Sequence, residues 1–449
     1  MKTHLITFTL VLAAAAHAEP LLIDLPTALR LADEKNTDLA IQVQQVELAE
    51  FDKAAAWYQW LPTVRVGASY GWQKGQLQET DGTMTDVERN SRYGGLGAGA
   101  SGSGMPLRPG LSAGVDLSAA IFGPLAAKQQ FQAAMLGEES VRLRVMLDVA
   151  SAYYELVRAF RELEIAELSA ENSGALAKQT ADFAASGEGL QADAERAEVE
   201  SLIQQQRVEL ARERKEGAAV QMARLLRLDD AAQLTPADSM ITPLALMEAE
   251  ADLADLVSRA LMNRPEVGQN RAIRAAGKAQ LDQERYGIFL PKVEVGYSYG
   301  SYGGGQGSGN SGDDERHDVY GMLYWQFDSL GLRNRNNIKK QRALMSKAKA
   351  MEEQALVDIA AEVRMAYAQF SGAQRQLGLA KRAVDSARKS YELNNERIFE
   401  NSGLPLEALQ SVKALAEAES LYLAVATKYN MSQLRLVSAT GKGLSAPKE

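Results

Sequence analysis

The chain has 449 residues, a formal net charge of −9, no cysteine and three histidines. Without cysteine it cannot form disulfides, thiolate metal sites, a cysteine nucleophile or a thioether-linked lipid. Only one histidine, His317, lies after residue 18, which argues against triad hydrolysis and most zinc sites. The acidic balance argues against nucleic acid, whose affinity comes mostly from neutralised phosphates, so we predict no catalytic residue, metal, cofactor or nucleic-acid partner.

Residues 1–18 have the pattern of a cleaved signal peptide. Lys2 gives a positive start, Leu5–Ala16 is apolar, and Ala16-His17-Ala18 fits an A-x-A cleavage site. As a helix, these apolar residues would reach only about 18 Å, short of a hydrocarbon core of about 30 Å. Since no later segment has eighteen consecutive apolar residues, we expect the exported chain either to be soluble or to enter a membrane as β-strands.

The same order of segments occurs twice. An amphipathic stretch leads to Leu61-Pro62 and TVRVGASYGW, and a second one leads to Leu290-Pro291 and KVEVGYSYG. The two Leu-Pro pairs lie 229 residues apart, and Tyr70 matches Tyr299 at the same offset. This indicates an internal duplication, with a first repeat at 19–228, a connector at 229–252 packed on the hairpins' outside, and a second repeat at 253–449.

After each Leu-Pro pair, apolar residues alternate with small or polar ones. This period of two predicts strands at about 62–73 and 112–122 in the first repeat, and at about 291–302 and 317–327 in the second. Their lengths suit tilted strands that cross a bilayer, with lipid on the apolar face and water on the other. One half-buried sheet in a soluble domain is the alternative. The glycine-rich segments 73–110 and 301–316 are predicted to be polar loops.

Five aromatic residues on these strands are predicted to form belts at the membrane interfaces, where aromatic rings are enriched. They are Tyr70, Trp72, Tyr297, Tyr299 and Trp325. Ordinary outward strand packing is the alternative. His317 is expected in solvent at the mouth of a strand.

Two very long helices follow the strand pairs. The first is predicted at 124–185, with Pro124 in its first turn, and the second at 332–400. Short glycine-containing breaks lead into return helices at 191–228 and 406–440. Sixty helical residues extend about 90 Å, so the sequence predicts two long antiparallel hairpins, at 124–228 and 332–440.

Four strands in one chain cannot close a barrel that has a lumen, because about eight strands already give an interior filled by side chains. An unclosed edge in lipid would leave backbone groups unsatisfied, at several kcal/mol each. Several chains must therefore share one barrel, and we favour three over two. The predicted fold class is mainly α with a β-barrel contribution.

The duplicated plan resembles the TolC-type outer membrane factors over nearly all of the chain after residue 18. The matching local features are ALRLADEKNTDL, LVSRALMNRPEV, WQFDSLGLRNRNNI and YNMSQLRLVSATG. The resemblance implies a homotrimer with a 12-stranded barrel in outer-membrane lipid and a periplasmic α-helical barrel. It also implies a periplasmic adaptor, or membrane fusion protein, and an inner-membrane pump as partners, and a channel that performs no chemistry.

Members of this family meet the adaptor and close the tunnel at the hairpin tips. The resemblance therefore assigns adaptor docking to residues that are equally well explained as helix caps, namely Gly187, Gly189, Leu190, Gln191, Gly403, Leu404 and Pro405. Glu195 and Glu407 occupy places where relatives often have pore-facing aspartates, and with Asp193 they are the candidate gate. A solvated helix face is the alternative, and Gln410 departs from an acidic position of some relatives.

The function that the resemblance implies is an outer-membrane exit duct of a tripartite efflux or type I secretion system in a Gram-negative bacterium. The duct would be passive, gated at its periplasmic tip and opened by adaptor and pump docking. A periplasmic coiled-coil adaptor or scaffold without a membrane barrel is the alternative. Drugs, metal ions and proteins all remain open as cargo.

Overall fold

The computed structural model describes residues 21–443, with gaps at 62, 65, 97–110, 188, 229–233, 248–251, 307–310 and 400–404. The predicted signal peptide lies outside the described residues. The helices are α1 (Leu25–Lys35), α2 (Thr37–Tyr58), α3 (Leu117–Ala185), α4 (Gln191–Leu226), α5 (Leu253–Asn263), α6 (Pro265–Tyr286), α7 (Leu332–Phe399) and α8 (Pro405–Ala439). The strands are β1 (Leu21–Ile23), β2 (Thr63–Val64), β3 (Val66–Gln78), β4 (Met84–Leu96), β5 (Leu111–Asp116), β6 (Leu234–Pro236), β7 (Lys292–Gln306) and β8 (Ser311–Tyr324).

The duplication is visible in the lengths of the helices. Helices α1 and α5 each have 11 residues, and α2 and α6 each have 22. The long helices α3 and α7 have 69 and 68 residues, and the return helices α4 and α8 have 36 and 35. One extended residue separates each short helix from the next, Asn36 in the first copy and Arg264 in the second. The predicted duplicated order of helix, strands and long hairpin is therefore confirmed.

Side-chain caps fix where the short helices begin. Asp24 Oδ1 accepts a hydrogen bond from the Thr27 amide at 2.8 Å, and hydrogen bonds from Thr27 lower the pKa of Asp24. Asn36 Oδ1 accepts from the Asp38 amide at 2.9 Å and so starts α2. The Asn36 side chain also donates to the Leu225 carbonyl at 3.0 Å, which ties this helix break to α4.

The chain divides into two compact units. The first consists of Met1–Gln42, Glu138–Pro265 and Leu356–Glu449, and the second consists of Val43–Gly137 and Glu266–Ala355. In the first unit, one buried core joins α1, α3, α4 and α8 around Tyr153, Leu156, Met222, Leu226 and Ala426. The parallel pair of β1 and β6 lies in this unit, and β6 is a regular element that the sequence analysis did not predict within the connector.

The second unit contains one antiparallel sheet with four strand positions. Along β7, Tyr297 faces Leu111 of β5 and Tyr299 faces Leu96 of β4, so β4 and β5 lie end to end on the same edge. β3 and β2 pair with the other edge of β4 and β5, and β8 pairs with the remaining edge of β7. Among the described residues, the outer edges of β3 and β8 pair with no other strand.

The register places the apolar residues of all four positions on one face. Successive residues of a strand point to opposite faces, so the register can be followed from Val293, Val295, Tyr297 and Tyr299 of β7. Their partners on this face include Val115 of β5 and Leu323, Gly321, Val319 and His317 of β8. On the opposite face, Lys292 Nζ lies 3.4 Å from Asp116 Oδ2. The predicted division into an apolar and a polar face is confirmed for these residues of β7, whereas β8 also carries Met322 and Tyr324 on the opposite face.

The predicted strand at 112–122 is wrong in its second half. β5 ends at Asp116, and α3 begins at Leu117. Asp116 Oδ1 accepts hydrogen bonds from the amides of Ser118 at 3.0 Å and Ala119 at 3.3 Å, so its side chain caps the first turn of the helix. Pro124 consequently lies inside α3 instead of in its first turn.

The predicted polar loops are also wrong over much of their length. β3 continues to Gln78, and β4 covers 84–96, all within the predicted loop 73–110. β7 continues to Gln306 and β8 begins at Ser311, within the predicted loop 301–316. Ladder hydrogen bonds with neighbouring strands satisfy the backbone of these polar segments, so they need no alternating apolar residues of their own. β8 ends at Tyr324, three residues before the predicted end.

Candidate functional site

The first hairpin tip is a short turn fixed by two glycines. Gly187 has a φ of +80°, and its amide donates to the Ala184 carbonyl at 3.1 Å. The Gly189 amide donates to the Phe183 carbonyl at 2.9 Å. A Cβ on Gly189 would lie 3.2 Å from the Ala184 backbone nitrogen and 3.3 Å from the Phe183 carbonyl carbon. Both glycines are therefore required by the local backbone.

Leu190 is the apolar residue that this turn presents to solvent. It stands at the N-cap of α4 in an extended conformation, its side chain makes no capping hydrogen bond, and it is 70% exposed. The next residue, Gln191, is exposed and donates from Nε2 to Glu195 Oε1 at 3.0 Å. A large exposed leucine at an N-cap contributes little to helix stability, so the position is available for a partner.

The three candidate gate acids each have a local partner in this chain. Glu195 accepts the hydrogen bond from Gln191. Asp193 Oδ1 lies 3.7 Å from Arg196 Nη1. Glu407 Oε2 lies 3.2 Å from Arg397 Nη1 across the second hairpin. Glu195 and Glu407 are exposed, and Asp193 is half-buried. These carboxylates are therefore close to solvent, where exposed ion pairs contribute little stability.

Part of the second tip falls outside the described residues, including Gly403 and Leu404. Pro405 is the first residue of α8. Proline suits this position because the first helical amide has no partner within the helix.

A small apolar cluster joins the two hairpins near their tips. Its residues come from α3, α4 and α8, with Tyr391 of α7 packed against it, and they are Leu176, Ala177, Ala197, Ala408, Leu409 and Val412. The structure thus brings Glu195 and Glu407 to the same end of the first unit. No local sequence pattern shows that two hairpins so far apart in the chain share a cluster.

The five predicted interface aromatics do not lie together. Tyr70 and Trp72 are exposed on the edge strand β3, and Tyr297 and Tyr299 are on β7. Trp325 follows the end of β8 and donates from Nε1 to the Phe289 carbonyl at 3.2 Å.

His317 is exposed on β8, but two tyrosines contact it. Its Nδ1 is 2.9 Å from the Tyr297 hydroxyl, and its ring stacks on Tyr299 with centroids 4.7 Å apart. His317 lies within β8 and not at a strand mouth, so that part of the expectation is wrong, whereas its exposure to solvent agrees with it.

No described helix is both long and apolar enough to span a membrane. No group of three or more histidine, aspartate or glutamate residues in the described ranges is arranged to hold a metal ion.

Comparison with known proteins agrees with the duplicated fold. Residues 256–442 match the family model of outer membrane efflux proteins. This part of the chain is similar to the outer membrane efflux proteins. The chain is 23% identical over 443 residues to the pyoverdine export outer membrane protein OpmQ of Pseudomonas putida, covering 94% of this chain and 87% of that protein. The resemblance to TolC-type outer membrane factors is confirmed.

Solved structures of outer-membrane channels share the fold of this chain. The outer-membrane channel OprN superposes with a TM-score of 0.76 at 19% identity, covering 93% of this chain and 90% of that one. The Campylobacter jejuni CmeC outer membrane channel superposes with a TM-score of 0.79 at 17% identity, covering 95% and 87%. The predicted fold class is confirmed by these likenesses.

Proposed function

We propose that this chain is the outer-membrane exit duct of a tripartite efflux or type I secretion system in a Gram-negative bacterium. Three copies join their sheets into a 12-stranded barrel, and their helical hairpins continue it as an α-helical barrel in the periplasm. The duct is passive and catalyses no reaction. It is gated at the hairpin tips and opened when a periplasmic adaptor and an inner-membrane pump dock.

The observation that carries this proposal is a sheet with one apolar face, whose outer edges, β3 and β8, pair with no other strand among the described residues. The exposed residues of that face include Val319, which is 81% exposed, and Leu323, which is 57% exposed. Lipid is the environment that accepts such a face, while the polar face suits a water-filled lumen. An unpaired sheet edge in lipid would leave backbone N–H and C=O groups without hydrogen-bond partners. Further copies of the same chain supply the strands that pair with these edges.

The known relatives support the same location and role. The P. putida relative is named for pyoverdine export, and OprN and CmeC are described as outer-membrane channels. By analogy, the membrane barrel of this chain lies in the outer membrane, and its larger helical part lies in the periplasm. Leu190 and Leu404 supply the adaptor-docking tips, and Asp193, Glu195 and Glu407 supply the gate.

Fractionation and bilayer recording test this function. The chain should be recovered in the outer membrane as a trimer that dissociates on heating in detergent, and it should conduct ions in planar bilayers. Val295→Lys should impair membrane assembly, because a lysine that faces lipid is unfavourable, by about 2–4 kcal/mol at the bilayer centre and by less towards the interfaces. Glu294→Lys, one residue away on the opposite face, is the matched control and should assemble.

Recovery as a monomer in the osmotic-shock fluid would contradict the duct and favour the periplasmic adaptor or scaffold. Equal effects of Val295→Lys and Glu294→Lys on assembly would contradict the assignment of the apolar face to lipid.

A further inference from the structure

We infer the residue register that joins two copies of this chain: β8 of one copy pairs antiparallel with β3 of the next, with Val319 opposite Trp72. The inference rests on the proposed function, because it presumes that copies share a barrel. Both strands are outer edges of the sheet. The internal duplication of the chain supplies the register, since a junction of the same kind already exists inside one copy.

The first strand positions of the two repeats correspond at a constant offset in the sequence. The offset of 229 residues between the Leu-Pro pairs makes Val66 equivalent to Val295 and Tyr70 equivalent to Tyr299. β3 therefore corresponds to β7 as the first strand position of its repeat.

The second strand positions of the two repeats also correspond. Val66 faces Leu96 in the first repeat, and the equivalent Val295 faces Gly321 in the second. Leu96 and Gly321 are therefore equivalent, and β8 corresponds to the line formed by β4 and β5.

The pairing between the two repeats of one copy predicts the pairing between two neighbouring copies. Inside one copy, Leu96 at the end of the first repeat faces Tyr299 at the start of the second. In the barrel, the end of the second repeat meets the start of the first repeat of the next copy. Replacing each residue by its equivalent puts Gly321 opposite Tyr70 of the neighbouring copy. In an antiparallel pair, Val319 then lies opposite Trp72 of that copy.

A second route through β5 gives the same register. Leu111 faces Val64 as Leu323 faces Val293, so Leu111 and Leu323 are equivalent. Leu111 also faces Tyr297, whose equivalent is Ala68. Leu323 therefore lies opposite Ala68 of the neighbouring copy, two positions from the Gly321 pair on each strand. The agreement matters because residues 97–110 separate β4 from β5 in the sequence, so the two routes use different pairings.

The faces of the two strands provide an independent check. Val319 and Trp72 both belong to the apolar face and are 81% and 60% exposed. In the inferred register, they become cross-strand neighbours on the lipid side, where a β-branched and an aromatic side chain pack well. A slip by one residue would move the whole apolar set of one copy to the lumen side.

Cysteine cross-linking tests the register, and the chain has no cysteine of its own to interfere. Val319→Cys is combined with Tyr70→Cys, Trp72→Cys or Lys74→Cys in the full-length protein in membranes. Cross-linking is driven by oxidation or by a short bifunctional methanethiosulfonate reagent, which spans either type of antiparallel pair. The Trp72→Cys combination should give the highest yield of covalent dimer and trimer, at least threefold above the two neighbours.

Further results distinguish a failure of the inferred register from a failure of the proposed function. The pair Ala68→Cys with Leu323→Cys should also cross-link, and it replaces the first pair if Trp72→Cys prevents assembly. A conducting trimer that cross-links best at Tyr70 or Lys74, or at none of these positions, would overturn the register while leaving the duct intact. Loss of the trimer in the cysteine-free protein itself would overturn the proposed function instead.

Discussion

The buried side chain of Gln433 on α8 holds the backbone of Leu244 in the connector, with Nε2 donating to the Leu244 carbonyl at 2.9 Å. Oε1 of the same side chain accepts hydrogen bonds from the backbone nitrogens of Leu246 at 2.9 Å and Met247 at 3.3 Å. One turn earlier, Asn430 accepts from the Leu244 amide at 2.8 Å and donates to the Thr242 carbonyl at 2.8 Å. Two buried amides thus replace strand pairing for this segment.

Gln433→Leu should destabilise the first unit by about 3 kcal/mol, because three backbone groups of the connector lose their partner. The thermal midpoint should fall, and proteases should cut the connector faster. Gln410→Leu is the control, since Gln410 is exposed on the same helix. Equal thermal midpoints for the two variants would contradict a structural role for Gln433.

The effect of an alanine substitution in the first tip should depend on the backbone conformation and surroundings of the glycine that it replaces. Gly187→Ala should cost about 1 kcal/mol, since its φ of +80° is unfavourable for a residue with a Cβ. Gly189→Ala should displace the end of α3, because its Cβ would press on the Phe183 backbone. Faster amide hydrogen exchange at the end of α3 would report both effects.

Gly217→Ala is the matched control for the tip glycines. Gly217 lies within α4, and a Cβ there meets nothing within 4 Å, so alanine should stabilise the helix by about 0.5–1 kcal/mol. If all three alanine variants changed hydrogen exchange alike, the local explanation of the tip would be wrong.

Leu190→Asp should abolish export while leaving the trimer and its membrane insertion intact. The exposed leucine contributes little to the fold, but a charge there would have to be desolvated when an apolar partner surface docks. Export assays with parallel blotting for the trimer measure both. Leu190→Met keeps an apolar side chain and should export normally.

The second tip should respond in the same way. Leu404→Asp is expected to block export because the sequence places a Gly-Leu pair at both tips. Normal export by both aspartate variants would remove the docking assignment.

Replacing Glu195 and Glu407 with alanine should lower cation selectivity in planar bilayers. In a trimer, three copies of each carboxylate concentrate negative charge near the tip, and their removal weakens the attraction for cations. The reversal potential in a salt gradient measures this change. Glu198→Ala, an exposed acid on the same helix, is the control, and an unchanged reversal potential in the double variant would contradict the gate.

The sequence by itself determined the duplication and the apolar face of the sheet. The repeated order of segments around two Leu-Pro pairs 229 residues apart, and the period of two after each pair, are properties of the local pattern. The resemblance to the efflux family rested on the order of these segments, so it could be identified without tertiary contacts. Among the tip residues, Gly187 and Gly189 were identifiable because glycine ends helices.

Only the tertiary structure decided which polar segments became strands and where α3 begins. β4 has few apolar residues, and partners on both of its edges satisfy its backbone, which no local pattern reveals. Asp116 fits a strand equally well until its side chain is seen to cap α3. The cluster that includes Leu176 and Leu409 likewise depends on two distant hairpins meeting. Local periodicity specifies faces, whereas pairing and docking depend on contacts between residues far apart in the chain.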